Sequence, residues 1–149
     1  MKHKILIIDN FLDEPLPYKN AQTQQPTQEI SNKIAHSLQS NIVLDTTQDQ
    51  ADYIAVLYLD FPTECVNKKA VSFWLHKETL DEEYPNETKM KWLGIKSMEE
   101  GYKFDEKEYE KYMEYFVKYN RLILFDANLF YTDGDECDCR KFYVKINNS

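Results

Sequence analysis

The chain has 149 residues, a hydrophobic fraction of 42% and a formal net charge of −8, which together predict one folded domain over residues 1–149. No strongly basic stretch is present, so the composition argues against nucleic acid as a partner, and the acidic charge argues against an anionic membrane surface. The longest apolar run, at residues 54–59, is too short to span a bilayer, and the sparse cysteines are typical of a reducing, cytoplasmic compartment.

Runs of β-branched and aromatic residues predict a protein that is mainly β. Strands are predicted, in chain order, at residues 4–8, 41–45, 53–60, 70–76, 120–126 and 142–146. The run at 53–60 is apolar throughout, which is typical of a central strand buried on both faces. The last run alternates apolar and polar residues, which predicts a half-buried strand.

Helices are predicted to flank the strands. The two prolines within residues 11–17 predict a turn that enters a short helix at best, and a polar loop follows over 20–26. Ile30, Ile34 and Leu38 are spaced four residues apart, which predicts a helix over 27–38. Residues 81–100 are charged and predict an irregular segment.

A third helix is predicted over residues 105–118, on the surface. Tyr109, Tyr112, Met113 and Phe116 fall at helical spacing, so we expect them to pack onto the sheet or onto a partner. The exposed tyrosines of this segment are typical of protein interfaces. The predicted fold class is therefore mainly β with flanking helices, with a sandwich or jelly roll favoured.

Few residues have the pattern of a nucleophilic or metal site. The histidines, His3, His36 and His76, are not arranged with a serine or cysteine in a nucleophile motif. Cys137 and Cys139 are separated by one residue, too close for the usual zinc half-site, so these thiols and Cys65 are interpreted as free and partly buried. The acidic residues between positions 133 and 138 lack the terminal glutamate of a calcium loop and predict a solvated turn.

Four segments in succession resemble a known enzyme family. They are Ile-Asp-Asn-Phe-Leu-Asp-Glu-Pro at 8–15, Val-Leu-Tyr-Leu-Asp at 56–60, Val-Ser-Phe-Trp-Leu-His-Lys at 71–77 and Tyr-Asn-Arg-Leu-Ile-Leu-Phe-Asp-Ala-Asn-Leu-Phe-Tyr at 119–131. This order resembles the iron(II)- and 2-oxoglutarate-dependent oxygenases, in particular the small prolyl-hydroxylase-like group of bacteria and their phages. The resemblance covers most of the chain from Ile8 to about Ile146 and implies a double-stranded β-helix, or jelly roll.

The resemblance also implies where a metal site would lie. The family holds Fe(II) with two histidines and a carboxylate, and an arginine binds the distal carboxylate of 2-oxoglutarate. Asp45 matches the carboxylate, but Val43 and Tyr131 stand where the two histidines are expected. Arg140 matches the cosubstrate arginine, and Tyr58 belongs to an aromatic set that is first a core and only secondarily a ligand pocket. His76 matches a histidine that the related sequences carry beside the triad, which favours a core or rim role.

The expected function is therefore that of an oxygenase-like domain with a vestigial metal site and no catalytic residues or cofactor. It would act as a binding or structural module, through a protein partner or self-association at the tyrosine-rich helix 105–118. Its compartment would be the cytoplasm of a host cell, or a virion if the chain is phage-encoded. Two alternatives stay open: an active Fe(II)/2-oxoglutarate hydroxylase with a rearranged site, and a metal-free organic-acid binder that uses Arg140.

Overall fold

The described residues of this computed structural model, 4–47, 50–78 and 106–147, form a mainly β protein with two α-helices and two antiparallel sheets. The predicted irregular segment at 81–100 and His3 lie outside these residues. In chain order the elements are β1 (Ile5–Ile8), α1 (Pro15–Ala21), α2 (Gln28–Leu38), β2 (Ile42–Asp45), β3 (Tyr53–Tyr58), β4 (Lys69–His76), a short 3₁₀ turn, β5 (Tyr109–Phe116), β6 (Arg121–Asp126), β7 (Tyr131–Asp133) and β8 (Cys139–Ile146).

The larger sheet has five strands in the order β1-β6-β3-β8-β2, and the smaller sheet has three in the order β5-β4-β7. Every residue of β3 is buried, so the apolar run is confirmed as the central strand of the larger sheet. The other five predicted strands are confirmed as β1, β2, β4, β6 and β8.

The larger sheet has a core on each of its faces. On one face, Ala55 and Leu57 of β3 pack with Ile30 and Ile34 of α2 and with Tyr18 of α1. The opposite face carries alternate residues of the same strands and packs against the smaller sheet, through side chains that include Val56, Tyr58, Phe73, Ile123 and Phe125. We call the first face the helix face and the second the inter-sheet face.

The helix α2 forms where its spacing predicts it. Thr27 adopts extended backbone angles and its side chain accepts a hydrogen bond from the backbone N–H of Ile30 at 3.3 Å, which caps the first turn. Ile30 and Ile34 are fully buried, and Gln39 ends the helix in the left-handed conformation. None of the described helices is both long and apolar enough to cross a membrane.

The predicted helix over 105–118 is wrong, because residues Tyr109–Phe116 form strand β5, paired with β4. The pairing register shifts between Phe73 and Trp74, and this shift leaves Tyr112 as an extra residue in β5. An extra residue reverses the inward and outward alternation of the side chains that follow it in the strand. Inward side chains on either side of the bulge are therefore three residues apart, which is also the spacing of one face of a helix. Tyr109 is buried and Tyr112 is half-buried, so the expected exposure of these tyrosines is also wrong.

Strand β8 determines which predicted site residues can meet. Phe142 and Val144 belong to the helix-face core, whereas Cys139 and Tyr143 pack on the inter-sheet face. Because side chains alternate along a strand, Arg140 lies on the helix face and Lys141 on the inter-sheet face.

Candidate functional site

Tyr131, the residue at the position of the distal histidine, lies on β7 in a packed aromatic environment. It is half-buried, and its ring centroid is 4.9 Å from that of Phe125 on the opposite sheet. The ammonium Nζ of Lys141 lies 5.6 Å from the same ring, a cation–π contact. The structure thus brings Tyr131 next to a lysine.

Lys141 of β8 is held in place by an ion pair with β7, a strand of the smaller sheet. Its Nζ donates to both carboxylate oxygens of Asp133, at 3.1 and 3.2 Å. Burial opposes the charged form of Lys141, but Tyr131 and Asp133 outweigh it and raise the pKa of Lys141. A fixed positive charge therefore lies beside Tyr131 at neutral pH.

Asp45 and Val43 lie together on β2, at an edge of the larger sheet. Both side chains are exposed, Val43 to 53%. The Oδ1 atom of Asp45 accepts hydrogen bonds from the backbone N–H groups of Thr46 at 2.6 Å and Thr47 at 3.2 Å. These two bonds lower the pKa of Asp45, and they give the carboxylate the ordinary role of a turn cap.

These side chains do not fit an Fe(II) facial triad. Valine has no lone pair, and phenols in general must lose a firmly held proton before they bind a metal ion, which a neutral imidazole need not. The ammonium group of Lys141, beside Tyr131, repels a divalent cation. In the part of the chain that the structure describes, no group of three or more His, Cys, Asp or Glu residues is placed to hold a metal ion.

Arg140, matched to the cosubstrate arginine, is not on the same face as Tyr131. It is 3% exposed, and its Nε donates to the backbone carbonyl of Thr23 at 2.7 Å. Its guanidinium lies 5.8 Å from the ring centroid of Tyr18 on α1. Tyr58 is also buried, but on the inter-sheet face, where burial raises the pKa of its phenol. The structure therefore does not bring Arg140 and Tyr58 into one pocket.

Arg140 instead belongs to a charged cluster between β8 and α1, formed with Lys19 and Asp138. Its Nη1 donates to Asp138 Oδ1 at 2.5 Å, and Lys19 Nζ donates to Asp138 Oδ2 at 2.9 Å. Lys19 also donates to the carbonyl of Leu59 at 2.7 Å. The predicted solvated turn is thus correct for the exposed Asp135 and Glu136, whereas Asp133 ends strand β7 and pairs with Lys141, and Asp138 is an ion-pair residue.

The charge of Asp138 makes the stability of this cluster depend on pH. Burial raises the pKa of Asp138, but hydrogen bonds from Lys19 and Arg140 outweigh burial and hold it below its ordinary value of 3.8. Because the pKa is lower in the folded protein, the ionised carboxylate stabilises the fold above about pH 4. This stabilisation is lost as the pH falls through the folded pKa.

We expect Asp138→Asn to lower the free energy of unfolding at pH 7 by about 1 kcal/mol, a value reduced by solvent screening. The difference from wild type should shrink as the pH falls below about 4, measured by urea unfolding at pH 7 and at the lowest pH at which the wild type stays folded. The exposed neighbour Glu136 supplies a control variant, Glu136→Gln, which should match wild type at pH 7. A deficit of equal size at both pH values would contradict the ionic role.

The remaining candidates have structural positions. Cys65, Cys137 and Cys139 are free and buried or half-buried, as predicted. The hydrogen bond between the two nearby thiols lowers the pKa of Cys139. His76 is buried at the end of β4, with its ring 5.1 Å from Tyr109, and His36 is exposed on α2.

Sequence reasoning missed Lys141 and Lys19. The alternation in β8 separates Lys141 from Phe142, but it does not say which face meets the second sheet. Nothing in the polar segment around Lys19 indicates its contact with Asp138, which is 119 residues away.

Comparisons of the chain with protein-family models, with curated proteins and with solved structures found no match.

Proposed function

We propose that this chain is an oxygenase-like jelly-roll domain without a metal site, and that it acts as a structural module by self-association through β5. The strand order supports the jelly-roll part of the proposal. The chain passes from the larger sheet at β3 to the smaller sheet at β4 and β5, and then alternates between the sheets at β6, β7 and β8. Such crossing between two packed antiparallel sheets is typical of jelly rolls.

The observation that carries the non-catalytic part is the set of side chains around Tyr131. A valine and a tyrosine replace both implied imidazoles, and Lys141 adds a positive charge where Fe(II) would need neutral donors. Arg140, the implied cosubstrate residue, points to the other face of the sheet. The residue at the implied distal ligand position and the implied cosubstrate residue therefore lie on opposite sides of the larger sheet.

The self-association part rests on the exposed apolar side chains of β5. Met113 is 42% exposed and Phe116 is 49% exposed, and β5 is an edge strand of the smaller sheet in the described part of the chain. Glu114, which lies between them in the sequence, forms ion pairs with Lys111 at 2.7 Å and with Lys69 at 3.9 Å. This part of β5 therefore lacks the strong negative charge of the whole chain, and two copies can meet here without strong repulsion.

The proposed lack of catalysis is tested by incubating the protein with Fe(II), ascorbate and 2-oxoglutarate. We expect no succinate above a reaction without protein, and no heat of Mn(II) binding in calorimetry, because the donor set cannot replace the water shell of the ion. Asp45→Asn is the matched variant and should behave as wild type in both measurements. Metal binding or succinate formation that disappears in Asp45→Asn would overturn the proposal.

The proposed self-association is tested by sedimentation velocity of the wild-type protein and of the variant Phe116→Lys. We expect a dimer in the wild type and a dissociation constant at least about tenfold higher in Phe116→Lys, since the variant places charges in an apolar contact. Val43 is equally exposed on the other sheet, so Val43→Lys is the control and should dimerise normally. A wild-type protein that stays monomeric at high concentration would contradict self-association.

A further inference from the structure

A polar cleft of about 490 Å³ lies on the helix face of the larger sheet, away from Tyr131 and from β5. Its lining residues are Lys19, Asn20, Gln22, Gln24, Asp138 and Arg140. Its volume falls within the usual range for small-molecule sites. All six side chains are polar, so the cleft is suited to a ligand rich in hydrogen-bonding groups.

The arginine in this cleft has hydrogen-bonding capacity left over. Nε donates to the carbonyl of Thr23, and Nη1 donates to Asp138 and to the carbonyl of Cys139. In residues 4–47, 50–78 and 106–147, Nη2 has no acceptor, and it is not sealed from solvent. Two nitrogens thus fix the guanidinium, and since Arg140 lines the cleft, the N–H groups of the third are left for a ligand.

The charges of the cleft indicate the sign of the ligand. Lys19 and Arg140 contribute two positive charges and Asp138 one negative charge, so the net charge is +1. Lys19 Nζ donates to Leu59 and Asp138 and lies 4.3 Å from the ring centroid of Phe61, so it acts on a ligand through its charge. A monoanion neutralises this set, whereas a dianion such as sulfate is opposed by Asp138.

We propose that this cleft binds a small polar monocarboxylate. One carboxylate oxygen would accept from Arg140 Nη2, and Lys19 would contribute its positive charge. The carboxamides of Asn20, Gln22 and Gln24 form the rest of the wall and would bind hydroxyl or amide groups on the body of the ligand. The site needs no metal ion, and it is independent of the proposed self-association.

The test is an NMR titration of the full chain with three probes. N-acetylglycine carries one carboxylate and an amide, N-acetylglycinamide is its neutral counterpart, and inorganic sulfate is the dianion control. We expect N-acetylglycine to shift the side-chain N–H signals of Arg140, Gln22 and Gln24, with responses to the other two probes about tenfold weaker or absent. An equal response to N-acetylglycinamide or to sulfate, or no response to N-acetylglycine, would overturn the proposal.

Variants locate the binding in the cleft. Gln24→Glu places a second carboxylate on the wall and should weaken N-acetylglycine binding about tenfold without disturbing the core, because Gln24 is exposed. Gln25 is also exposed but does not line the cleft, so Gln25→Glu makes the same charge change and should bind normally. Equal weakening in both variants would show a general charge effect and would contradict the assigned site. The folded Arg140→Lys variant should lose the NMR response to N-acetylglycine.

Discussion

Replacing Phe125 with alanine is expected to lower the free energy of unfolding by about 3–5 kcal/mol, the usual cost of removing a phenylalanine from a packed core. Phe125 lies on β6, is 1% exposed and projects between the two sheets. Its ring contacts Phe73 of β4 edge-on at 5.1 Å and lies 4.9 Å from the ring of Tyr131 on β7. The substitution therefore leaves a cavity lined by both sheets.

Denaturant unfolding at pH 7 measures this effect. The matched variant Phe125→Leu keeps most of the apolar volume and should cost only about 1 kcal/mol. If Phe125→Ala lost no more stability than Phe125→Leu, filling the space between the two sheets would not contribute as the structure indicates.

A second large effect is expected for Asn120→Ala, with a loss of about 3 kcal/mol in the free energy of unfolding. The Asn120 side chain accepts from the N–H of Leu12 at 2.9 Å and donates to the carbonyl of Leu12 at 2.8 Å. Both residues are buried, so alanine leaves two backbone groups of Leu12 without these partners and without water. Asn120 also has φ of 61°, a conformation that alanine adopts only at a cost.

Asn10 supplies a matched control for the backbone term, since it has φ of 54° but is exposed. Asn10→Ala should lower the free energy of unfolding by about 1 kcal/mol, which is the effect of the left-handed conformation alone. Thermal and urea unfolding of both variants give the comparison. A similar loss in the two variants would show that the hydrogen bonds to Leu12 contribute little.

Much of the fold could be predicted because local pattern and burial agree. The run over β3 is apolar on both faces because one face meets the helices and the other meets the second sheet. The helix α2 combines a Thr27 cap with regularly spaced Ile30 and Ile34, so its start and its buried side both follow from local chemistry. Neither prediction depends on a distant residue.

The prediction of a helix over residues 105–118 was wrong because the inward side chains of β5 are determined by its pairing with β4. Tyr109 and Tyr112 both point inward because the bulge at Tyr112 shifts the alternation, and this shift depends on the register with β4. Register is a tertiary property, and the sequence of β5 alone has the same spacing as an amphipathic helix. Its tyrosines and phenylalanine favour a strand, but propensity alone did not outweigh the spacing.

The candidate site could be predicted only in part, for a related reason. The alternation of β8 correctly places Arg140 with Phe142, but only the packed structure shows that this face meets α1 and not the second sheet. The cluster of Lys19, Asp138 and Arg140 joins residues far apart in the chain, so no local pattern could reveal it.

The strand order of the larger sheet also determines when that sheet can assemble during synthesis. Ile8 of β1 lies opposite Leu122, and Ile42 of β2 lies opposite Ile146, so the early strands have no neighbours until the late ones are made. β3 must wait for both β6 and β8. On the ribosome, its apolar run stays unpaired for most of translation, which exposes it to aggregation or chaperone binding. We expect slow folding after release, because these pairings close long loops.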